Sequence, residues 1–418
     1  MCQQVLPTPS ANLDRVLTFA LAALIATSSP ITDQPKSVPA AFAARSYAPG
    51  AEARLAVWSA PRGLSIQFFH AGPEKTRSLH DDVMRGVPVT NRTHAPVVEG
   101  DASVRTPSGP SGLYFARLTA PGGKVGYAPF VLRPRTLGRA RVLVVMPTNT
   151  WEAYNLRDVD GNGVGDTWYA NSSIPSVDLT RPFLDRGVPP HFRAYDQGFL
   201  RWFAQTHRRA DFISDDDLEH LSGARLARLY DLVVFSGHEE YVTPHVYKAI
   251  ARYRDLGGNL AFPSANNFFY VIDRRGNRIF RTGRYRDIGM DSARITGARY
   301  VGWFEGKYPT RPYTVTGAKL APWFFAGTGL RDGSRFGSYG IEIDEPNTVS
   351  PDDTDVIAEI PHEFGNTAAD MTIYKMGTAT VFAAGVFNFG ASAHWPKISR
   401  MVSNLWSHLS GDHLSGER

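Results

Sequence analysis

The residues best placed for chemistry follow a short apolar run near the middle of the chain. Residues 232–235 (LVVF) are continuously apolar, as is typical of a central parallel strand that is covered on both faces. His238, Glu239 and Glu240 follow this run, and a helix is predicted at residues 244–256. In open α/β sheets, the loops at the carboxyl ends of strands bind ligands. We therefore expect the imidazole and the carboxylates to lie at a functional site.

Two tyrosines and an asparagine are predicted to reach the same edge of the sheet. The strand predicted at residues 141–146 is followed by a connection of about 45 residues, where two to six are usual, and such a length is typical of a functional loop. This connection contains Tyr154 and ends near Tyr195, where a crossover helix begins. Asn266 follows the strand predicted at residues 259–263. Taken alone, each tyrosine is more typical of ordinary packing at a strand end.

The chain resembles a known family in five segments, whose order and spacing are more specific than any one of them. They are TWEAYN at residues 150–155, HEEY at 238–241, GGNL at 257–260, ANNFFY at 265–270 and GIEID at 340–344. The resemblance covers most of residues 45–412 and is to the large (beta) subunit of N,N-dimethylformamidase and its relatives. It implies a hydrolase of non-peptide amide bonds whose products are an amine and a carboxylate.

The resemblance also implies a metal site. In the family, a mononuclear iron is held by two tyrosines and a glutamate, and the matching residues are Tyr154, Tyr195 and Glu240. The residues that match those around the metal are His238, Asn266 and Glu342. The family usually has a proline where this chain has Glu239.

The chemistry of these residue types agrees with that assignment. Phenolate and carboxylate oxygens are hard donors that suit ferric iron. A free tyrosine has a pKa near 10, so a strongly charged metal is needed to hold two of them as phenolates at neutral pH. Open positions on the metal would polarise the carbonyl of a small amide or activate a water. Glu342 or His238 would then move protons, and Asn266 would orient the substrate.

Two other functions remain open from the sequence. The first is a non-catalytic binding or surface protein that retains the fold. The second is a serine hydrolase using Ser236 and His238, which is disfavoured because the G-x-S-x-G pattern is absent and the two residues are near neighbours on one loop.

A second metal-binding pattern lies within the long connection. Residues 158–166 fit D-x-D-x-N-G-x-x-D, the first nine positions of a calcium loop. The predicted ligands are the side chains of Asp158, Asp160, Asn162 and Asp166 and the carbonyl of Val164. Position twelve is Tyr169 instead of a bidentate glutamate, which excludes a regulatory EF-hand. The alternative is a tight Asp/Asn/Gly turn without calcium.

The pattern of apolar runs predicts an α/β fold for residues 137–412. Strands are predicted at residues 141–146, 211–214, 230–236, 259–263 and 378–385, and helices at about 196–208, 215–228 and 244–256. Their alternation predicts a doubly wound, mostly parallel sheet. The family resemblance implies that this fold is class I glutamine amidotransferase-like. Residues 275–377 show no clear pattern.

The front of the chain predicts a leader and a small domain. Residues 16–26 have the length of a signal-peptide core, and Ala41, Phe42 and Ala43 form a small-residue cleavage site, so residues 1–44 are interpreted as a leader. Secretion is therefore predicted, with the cytoplasm as the alternative. Short strands with alternating polarity then predict an immunoglobulin-like β-sandwich at residues 45–136, and residues 413–418 form a tail.

Composition narrows the possible partners. The chain has 418 residues, 43% of them hydrophobic, which is enough for two globular cores. Its net charge of +5 includes no block of Lys and Arg, so no nucleic-acid partner is predicted. No apolar stretch is long enough to span a membrane, and the only cysteine, Cys2, lies in the predicted leader. A homo-oligomer is allowed, because a neighbouring subunit could complete the substrate pocket.

Overall fold

The computed structural model describes residues 37–58, 61–98, 100–304 and 307–411. Of the described residues, 33% are in strands and 20% in helices. The predicted apolar leader segment at residues 16–26 and the predicted tail at 413–418 lie outside the described residues. No described helix is long and apolar enough to cross a membrane.

The first ten strands form two sheets that share one core. In chain order, β1–β10 are Ala40–Phe42, Ser46–Tyr47, Glu52–Val57, Ser65–His70, Val87–Pro88, Thr93–His94, Val97–Val98, Asp101–Arg105, Gly112–Thr119 and Val125–Leu132. One sheet has the order β1-β3-β8-β7, and the other has the order β2-β10-β9-β4-β5 with β6 also paired to β4. Alternate residues of β3 and β4 point inwards, so Leu55 meets Phe68 and Phe130 in the core between the sheets.

The rest of the described chain forms a mixed α and β region. Its strands, β11–β25, are Val142–Met146, Val177–Asp178, Asp211–Ser214, Leu232–Phe235, Tyr241–Val242, Asn259–Phe262, Tyr270–Arg275, Arg278–Arg284, Arg299–Trp303, Arg311–Val315, Arg335–Tyr339, Glu342–Glu345, Asp355–Phe364, Thr367–Met376 and Ala379–Ala383. Its α-helices, α1–α9, are Thr148–Ala153, Phe192–Tyr195, Gln197–Gln205, Asp215–Glu219, Gly223–Leu229, Pro244–Asp255, Ala293–Thr296, Pro322–Phe325 and Pro396–Ser410. Two 3₁₀ turns are Tyr285–Ile288 and Gly390–His394.

The prediction of a doubly wound, mostly parallel α/β fold is wrong. The main sheet of the described region has nine strands in the order β13-β11-β14-β16-β25-β24-β23-β20-β21. The first five are parallel to one another, and the last four run antiparallel to their neighbours. Separate small sheets, β12-β18-β17-β15 and β19-β22, complete a structure that is richer in strand than in helix. The amidotransferase-like fold implied by the resemblance is therefore not observed.

The error arose in the segment that showed no clear pattern. Residues 275–377 contain β18–β24, which pair antiparallel and have uneven burial, and some of these pairs join strands far apart in the chain, as β19 and β22 do. The parallel strands themselves were found where continuous apolar runs predicted them, because all five residues of β11 and all four of β14 are buried. The helix predicted at residues 215–228 is two helices, since Ser222 caps a new helix by accepting a hydrogen bond from the Arg225 amide (3.3 Å).

The first strand conflicts with the predicted cleavage position. β1 contains two of the three residues of the predicted cleavage site, and it pairs antiparallel with β3. Phe42 is completely buried and packs against Phe130, with ring centroids 4.9 Å apart. Cleavage near Ala44 would remove this strand from the sandwich core.

We expect that, if the chain is exported, its mature form begins before Ser37. Truncating a buried phenylalanine to alanine typically costs about 3–5 kcal/mol, and removing all of β1 deletes Phe42 together with a row of backbone hydrogen bonds. The check is N-terminal sequencing of protein secreted by its native host, together with thermal melts of recombinant chains that start at Ser37 or at Ala44. A mature chain that starts at Ala44 and melts like the longer one would contradict this expectation.

Candidate metal and proton-transfer site

Helix α1 holds the loop that follows strand β14. The hydroxyl of Thr150 accepts hydrogen bonds from the backbone N–H groups of Glu240 (3.1 Å) and Tyr241 (3.3 Å). Asn149 donates from its side chain to the carbonyl of Tyr241 (3.3 Å). All six residues of α1 are buried, so this helix is a rigid support on which Glu240 is placed.

The parallel pairing of β15 with β17 brings the loop that contains Asn266 beside the loop that contains Glu240. Tyr241 is opposite Tyr270 in this pair, so the residues that precede the two strands lie side by side. Glu240 accepts a hydrogen bond at Oε1 from Nδ2 of Asn266 (3.2 Å). The same Nδ2 also donates to Oε2 of Glu342 (2.6 Å), which begins strand β22. One amide group thus joins two buried carboxylates.

His238 has a defined role for each ring nitrogen. Its Nδ1 is 3.0 Å from the carbonyl oxygen of Ala265, which can only accept, so Nδ1 carries a proton. In the neutral ring, Nε2 is then an acceptor and faces the hydroxyl of Tyr154 at 3.4 Å. Nε2 also lies 3.3 Å from Oε2 of Glu240, a contact that becomes an ion pair when the ring is protonated. The imidazole can therefore take up and release a proton between a phenol and a carboxylate.

Backbone strain is concentrated around these side chains. Asn266, Phe268 and Ile341 have φ values of 52°, 58° and 68°, in the left-handed region that non-glycine residues rarely adopt. The backbone N–H of Asn266 donates to both oxygens of Asp344 (2.9 and 3.2 Å). Burial raises the pKa of Asp344 to about 7, and the hydrogen bond from Asn266 opposes that shift. Asp344 thus holds Asn266 in a conformation that aims its side chain at Glu240 and Glu342.

Tyr154 and Tyr195 lie in the same pocket wall but contact different neighbours. The pocket is narrow, with a volume of about 10 Å³, the room of a single water molecule. It is lined by Pro147, Thr150, Trp151, Tyr154, Pro190, His191, Tyr195, Asp196 and His238. The Tyr195 ring stacks on His191 (5.0 Å between centroids) and meets Phe387 edge-on (4.9 Å). Phe387 in turn packs against His238 at 4.3 Å, so it separates Tyr195 from the cluster around Glu240.

The electrostatics of the site disfavour an ionised Tyr154. Burial raises the pKa of Tyr154 well above its usual value, and the nearby Glu240 and Glu342 raise it further. A phenol in these surroundings stays protonated unless a positive charge offsets the two carboxylates. The Oδ1 atom of Asn266 is buried and has no hydrogen-bond partner within the described chain. It is therefore available to a donor group of a ligand.

A model of one family matches residues 99–400 of the chain, and its description is N,N-dimethylformamidase beta subunit-like, C-terminal. The chain belongs to this family. The resemblance inferred from the sequence is thus confirmed. None of the curated proteins matches the chain.

Two solved structures give only weak likenesses. A superoxide reductase (neelaredoxin) from Ignicoccus hospitalis has 12% identity and a TM-score of 0.18, with 24% of this chain and 83% of that chain covered. A Paenibacillus sp. cycloisomaltooligosaccharide glucanotransferase complexed with cycloisomaltoheptaose has 8% identity and a TM-score of 0.16, with 84% and 69% covered. Likenesses this low support no statement about function.

The donor set of this dimethylformamidase-like chain fits a hard metal ion held through phenols. In the described part of the chain, no group of three or more His, Cys, Asp or Glu side chains is arranged to hold a metal. Within the cluster, Glu240 contacts His238 directly, and it is linked to Glu342 through the amide of Asn266. Ligation of a metal by Tyr154, Tyr195 and Glu240 stays a prediction from the sequence.

Glu239, which replaces the usual proline of the family, points away from the cluster. It is 1% exposed, and its carboxylate lies beside that of Asp215. Burial raises the pKa of Glu239 well above the usual value, and Asp215 raises it further. Burial beside Asp215 therefore favours the neutral form of Glu239, which packs behind Glu240.

The disfavoured alternative of a serine hydrolase has no support in the geometry. The hydroxyl of Ser236 donates to the carbonyl of Val145 (3.3 Å). Both ring nitrogens of His238 have the other partners described above. Ser236 is a buried structural residue at the end of β14.

The predicted calcium loop forms a tight turn that uses its own side chains. Asp158 accepts hydrogen bonds from the N–H groups of Gly161 (2.8 Å) and Gly163 (2.7 Å). Asp160 accepts from Asn162 (3.0 Å), and Asp166 accepts from Val159 (2.8 Å). Asn162 accepts from the N–H of Val164 (2.8 Å), a bond that does not involve the Val164 carbonyl. These contacts also suit the alternative of an ordinary turn, so calcium binding stays a prediction.

Two residues of the site were missed by the sequence reasoning. Tyr169 was noticed only because it departs from the calcium pattern, yet its hydroxyl donates to Oε2 of Glu240 (3.1 Å). His191 lines the pocket with a φ of 58°, and no motif marked it. Both lie in the long connection after α1, whose path cannot be read from periodicity.

That connection is held by a buried ion cluster. Glu152, in α1, is fully buried and pairs with Arg45 of the sandwich and with Arg181 (3.5 Å). Arg181 also donates to the carbonyl of Asp166 (2.8 Å), and Asn155 donates to Glu152 (3.0 Å). Burial raises the pKa of Glu152, and the two guanidinium groups oppose that shift. The cluster ties the sandwich, α1 and the connection together immediately behind Tyr154.

We expect Glu152→Gln to destabilise the protein strongly. The change keeps the size of the side chain but leaves two buried guanidinium groups without their counter-charge, and breaking a buried pair in this way costs about 3–5 kcal/mol. The measurement is the free energy of unfolding from denaturant titration.

Arg54→Ala is the matched control, because it breaks the exposed ion pair with Asp101 in the sandwich. Exposed pairs contribute little, so this variant should unfold like the wild type. Equal stability of Glu152→Gln and Arg54→Ala would show that the buried cluster does not hold the two regions together.

Proposed function

We propose that this protein is an iron-dependent hydrolase of a small amide. The observation that supports this is the convergence of a phenol, an imidazole, two carboxylates and an amide from separate segments on one buried cluster. Its members are Tyr154, His238, Glu240, Asn266 and Glu342. Membership of the N,N-dimethylformamidase beta subunit-like family supports the same reaction class.

Tyr154, Tyr195 and Glu240 would hold the metal. Their oxygens are hard donors of the kind that ferric iron prefers, and three protein ligands leave positions for a water or a substrate carbonyl. Bound there, the ion would supply Lewis-acid polarisation of the amide carbonyl or a water with a lowered pKa. Tyr195 lines the same pocket as Tyr154, and Phe387 lies between its ring and His238, so Tyr195 is the proposed ligand that lies outside the cluster around Glu240.

The other residues of the cluster would transfer protons and orient the substrate. Asn266 uses both hydrogens of Nδ2 on Glu240 and Glu342, so only its buried Oδ1 can receive a donor from the substrate or from an attacking water. The carboxylate of Glu342 accepts a hydrogen bond from the same amide group and would accept a proton from the nucleophile. His238 can pass a proton between Tyr154 and Glu240, because Ala265 fixes its tautomer.

The size of the pocket favours a small substrate. Its walls are aromatic or carry short side chains, and the room is that of a single water molecule. A peptide would need an open groove, and even a short amide would need the pocket walls to move apart. The expected products are an amine and a carboxylate.

We predict that the purified protein binds one iron per chain and shows a visible phenolate-to-iron absorption. Tyr154→Phe should remove most of the colour, and Glu240→Gln should lower the iron content, because each removes an oxygen donor. The measurements are metal analysis, the absorption spectrum, and the release of dimethylamine from N,N-dimethylformamide.

Tyr313→Phe is a suitable control, since this buried phenol donates to the carbonyl of Ala384 and lies outside the cluster. It should keep both iron and colour. Colourless, iron-free wild-type protein from iron-rich medium would favour a non-catalytic binding protein. A Tyr195→Phe variant with unchanged iron and colour would assign the second phenolate to another residue.

We also propose that residues 158–166 bind calcium weakly. The three carboxylates, the Asn162 amide and the Val164 carbonyl offer oxygen donors, but position twelve is not a bidentate glutamate. The affinity should therefore fall in the range of extracellular modules, on the order of 10⁻⁴ to 10⁻³ M. A bound ion would order the loop that begins at Tyr154.

The test is the melting temperature with and without calcium. Calcium at 100-fold above its Kd should stabilise the protein by about 2.7 kcal/mol, which is a few degrees for a chain of this size. Asp160→Ala should abolish the shift, whereas Asp216→Ala, a substitution outside the loop, should preserve it. An equal shift in wild type and Asp160→Ala would place the ion elsewhere.

A further inference from the structure

One tyrosine of the site has no role in the reaction proposed above. Tyr169 lies in the connection that follows α1, and its ring packs against that of Tyr154 with centroids 4.4 Å apart. Its hydroxyl is 3.1 Å from Oε2 of Glu240 and 2.8 Å from the hydroxyl of Tyr241. Tyr169 therefore touches two of the proposed iron ligands at once.

The direction of these hydrogen bonds follows from the chemistry of the groups. An ionised carboxylate can only accept, so Tyr169 must donate its one proton to Glu240. The hydroxyl of Tyr241 must then donate to Tyr169, because Tyr169 has no second proton to give. The result is a one-way chain from Tyr241 through Tyr169 to Glu240.

The start of this chain is rigid. The ring of Tyr241 is stacked between Trp168 (5.6 Å, 16°) and Tyr270 (5.0 Å, 25°). Arg281 lies over the Trp168 and Tyr270 rings at 5.1 and 4.9 Å. Burial raises the pKa of Tyr169 and of Tyr241 well above the usual value for a phenol, with Glu240 as the next contribution to each.

We propose that Tyr169 is a positioning residue that fixes the orientation of the Glu240 carboxylate, and that Tyr241 orients Tyr169. Asn266 holds Oε1 of Glu240 and Tyr169 holds Oε2, so the carboxylate is restrained at both oxygens. Groups that orient a metal ligand in this way typically contribute 10–100-fold to metal affinity or activity. The proposal rests on the proposed function, in which Glu240 is an iron ligand.

The decisive experiment is Tyr169→Phe, which removes the hydroxyl and keeps the ring against Tyr154. Iron affinity, measured by competition with a chelator, should fall by about 10–100-fold. The phenolate-to-iron band should remain but shift in wavelength, because Tyr154 and Tyr195 still bind the metal while Glu240 is less well oriented. Tyr241→Phe should shift the band in the same direction by a smaller amount.

The matched control is Tyr270→Phe. This phenol belongs to the same aromatic group, but in the described chain it makes no hydrogen bond to Glu240. Affinity and band should match the wild type. If Tyr169→Phe keeps wild-type affinity and band position, the positioning role is wrong. If instead it loses the band as fully as Tyr154→Phe, Tyr169 is a ligand, which also overturns the proposal.

A readout without metal separates this inference from the proposed function. In metal-free protein, the stabilities of Tyr169→Phe, Glu240→Gln and the double variant form a thermodynamic cycle. Non-additive changes support the contact, and additive changes overturn it. If the wild-type protein is iron-free and the cycle is non-additive, only the proposed function is contradicted. If the wild-type protein binds iron, the cycle is additive and the band of Tyr169→Phe is unshifted, only the positioning role is contradicted.

Discussion

The buried ion cluster of Arg45, Glu152 and Arg181 is the interaction on which the rest of the site depends. Glu152 lies in the helix that supports Glu240 through Thr150, and it comes two residues before Tyr154. Arg45 comes from the sandwich, and Arg181 comes from the far end of the long connection. Ionised groups in the interior are stable only when each meets its counter-charge. The sandwich therefore supplies half of the positive charge that holds the site in place, and it is more than a spacer.

The site is held by strained backbone conformations and buried hydrogen bonds more than by regular helices or strands. Asn266 and Ile341 adopt left-handed backbone conformations, and each directs the neighbouring chain so that an amide or a carboxylate enters the cluster. Asp344 holds the first of these conformations by accepting two hydrogen bonds from one N–H group. Strain of this kind persists only where the surroundings hold it, which is typical of functional sites. The cluster contains two carboxylates, Glu240 and Glu342, and a single imidazole, His238.

Much of the chemistry could be predicted from sequence because it lies at the ends of buried strands. The runs at β11, β14 and β16 are continuously apolar, and the polar residues that follow them had to meet at one edge once those strands paired in parallel. His238, Glu240 and Asn266 were found in that way. Tyr169 and His191 could not be, because they lie in an irregular connection whose course is set by Arg181 and Asn155 and by no repeating pattern.

The sequence by itself determined the family, the parallel strands and the residue types of the candidate site. Strands that are buried on both faces appear in the sequence as continuous apolar runs, and the family is identified by the order of its short motifs. It did not determine the fold class. Residues 275–377 form strands that pair antiparallel, several of them with bulges, and β19 pairs with the distant β22, so the pairing depends on tertiary contacts and not on local pattern. Only the tertiary structure decided that the sheet is mixed, that β1 belongs to the sandwich core, and that Tyr169 reaches Glu240. Each of these is a contact between segments far apart in the chain, which no local signal can specify.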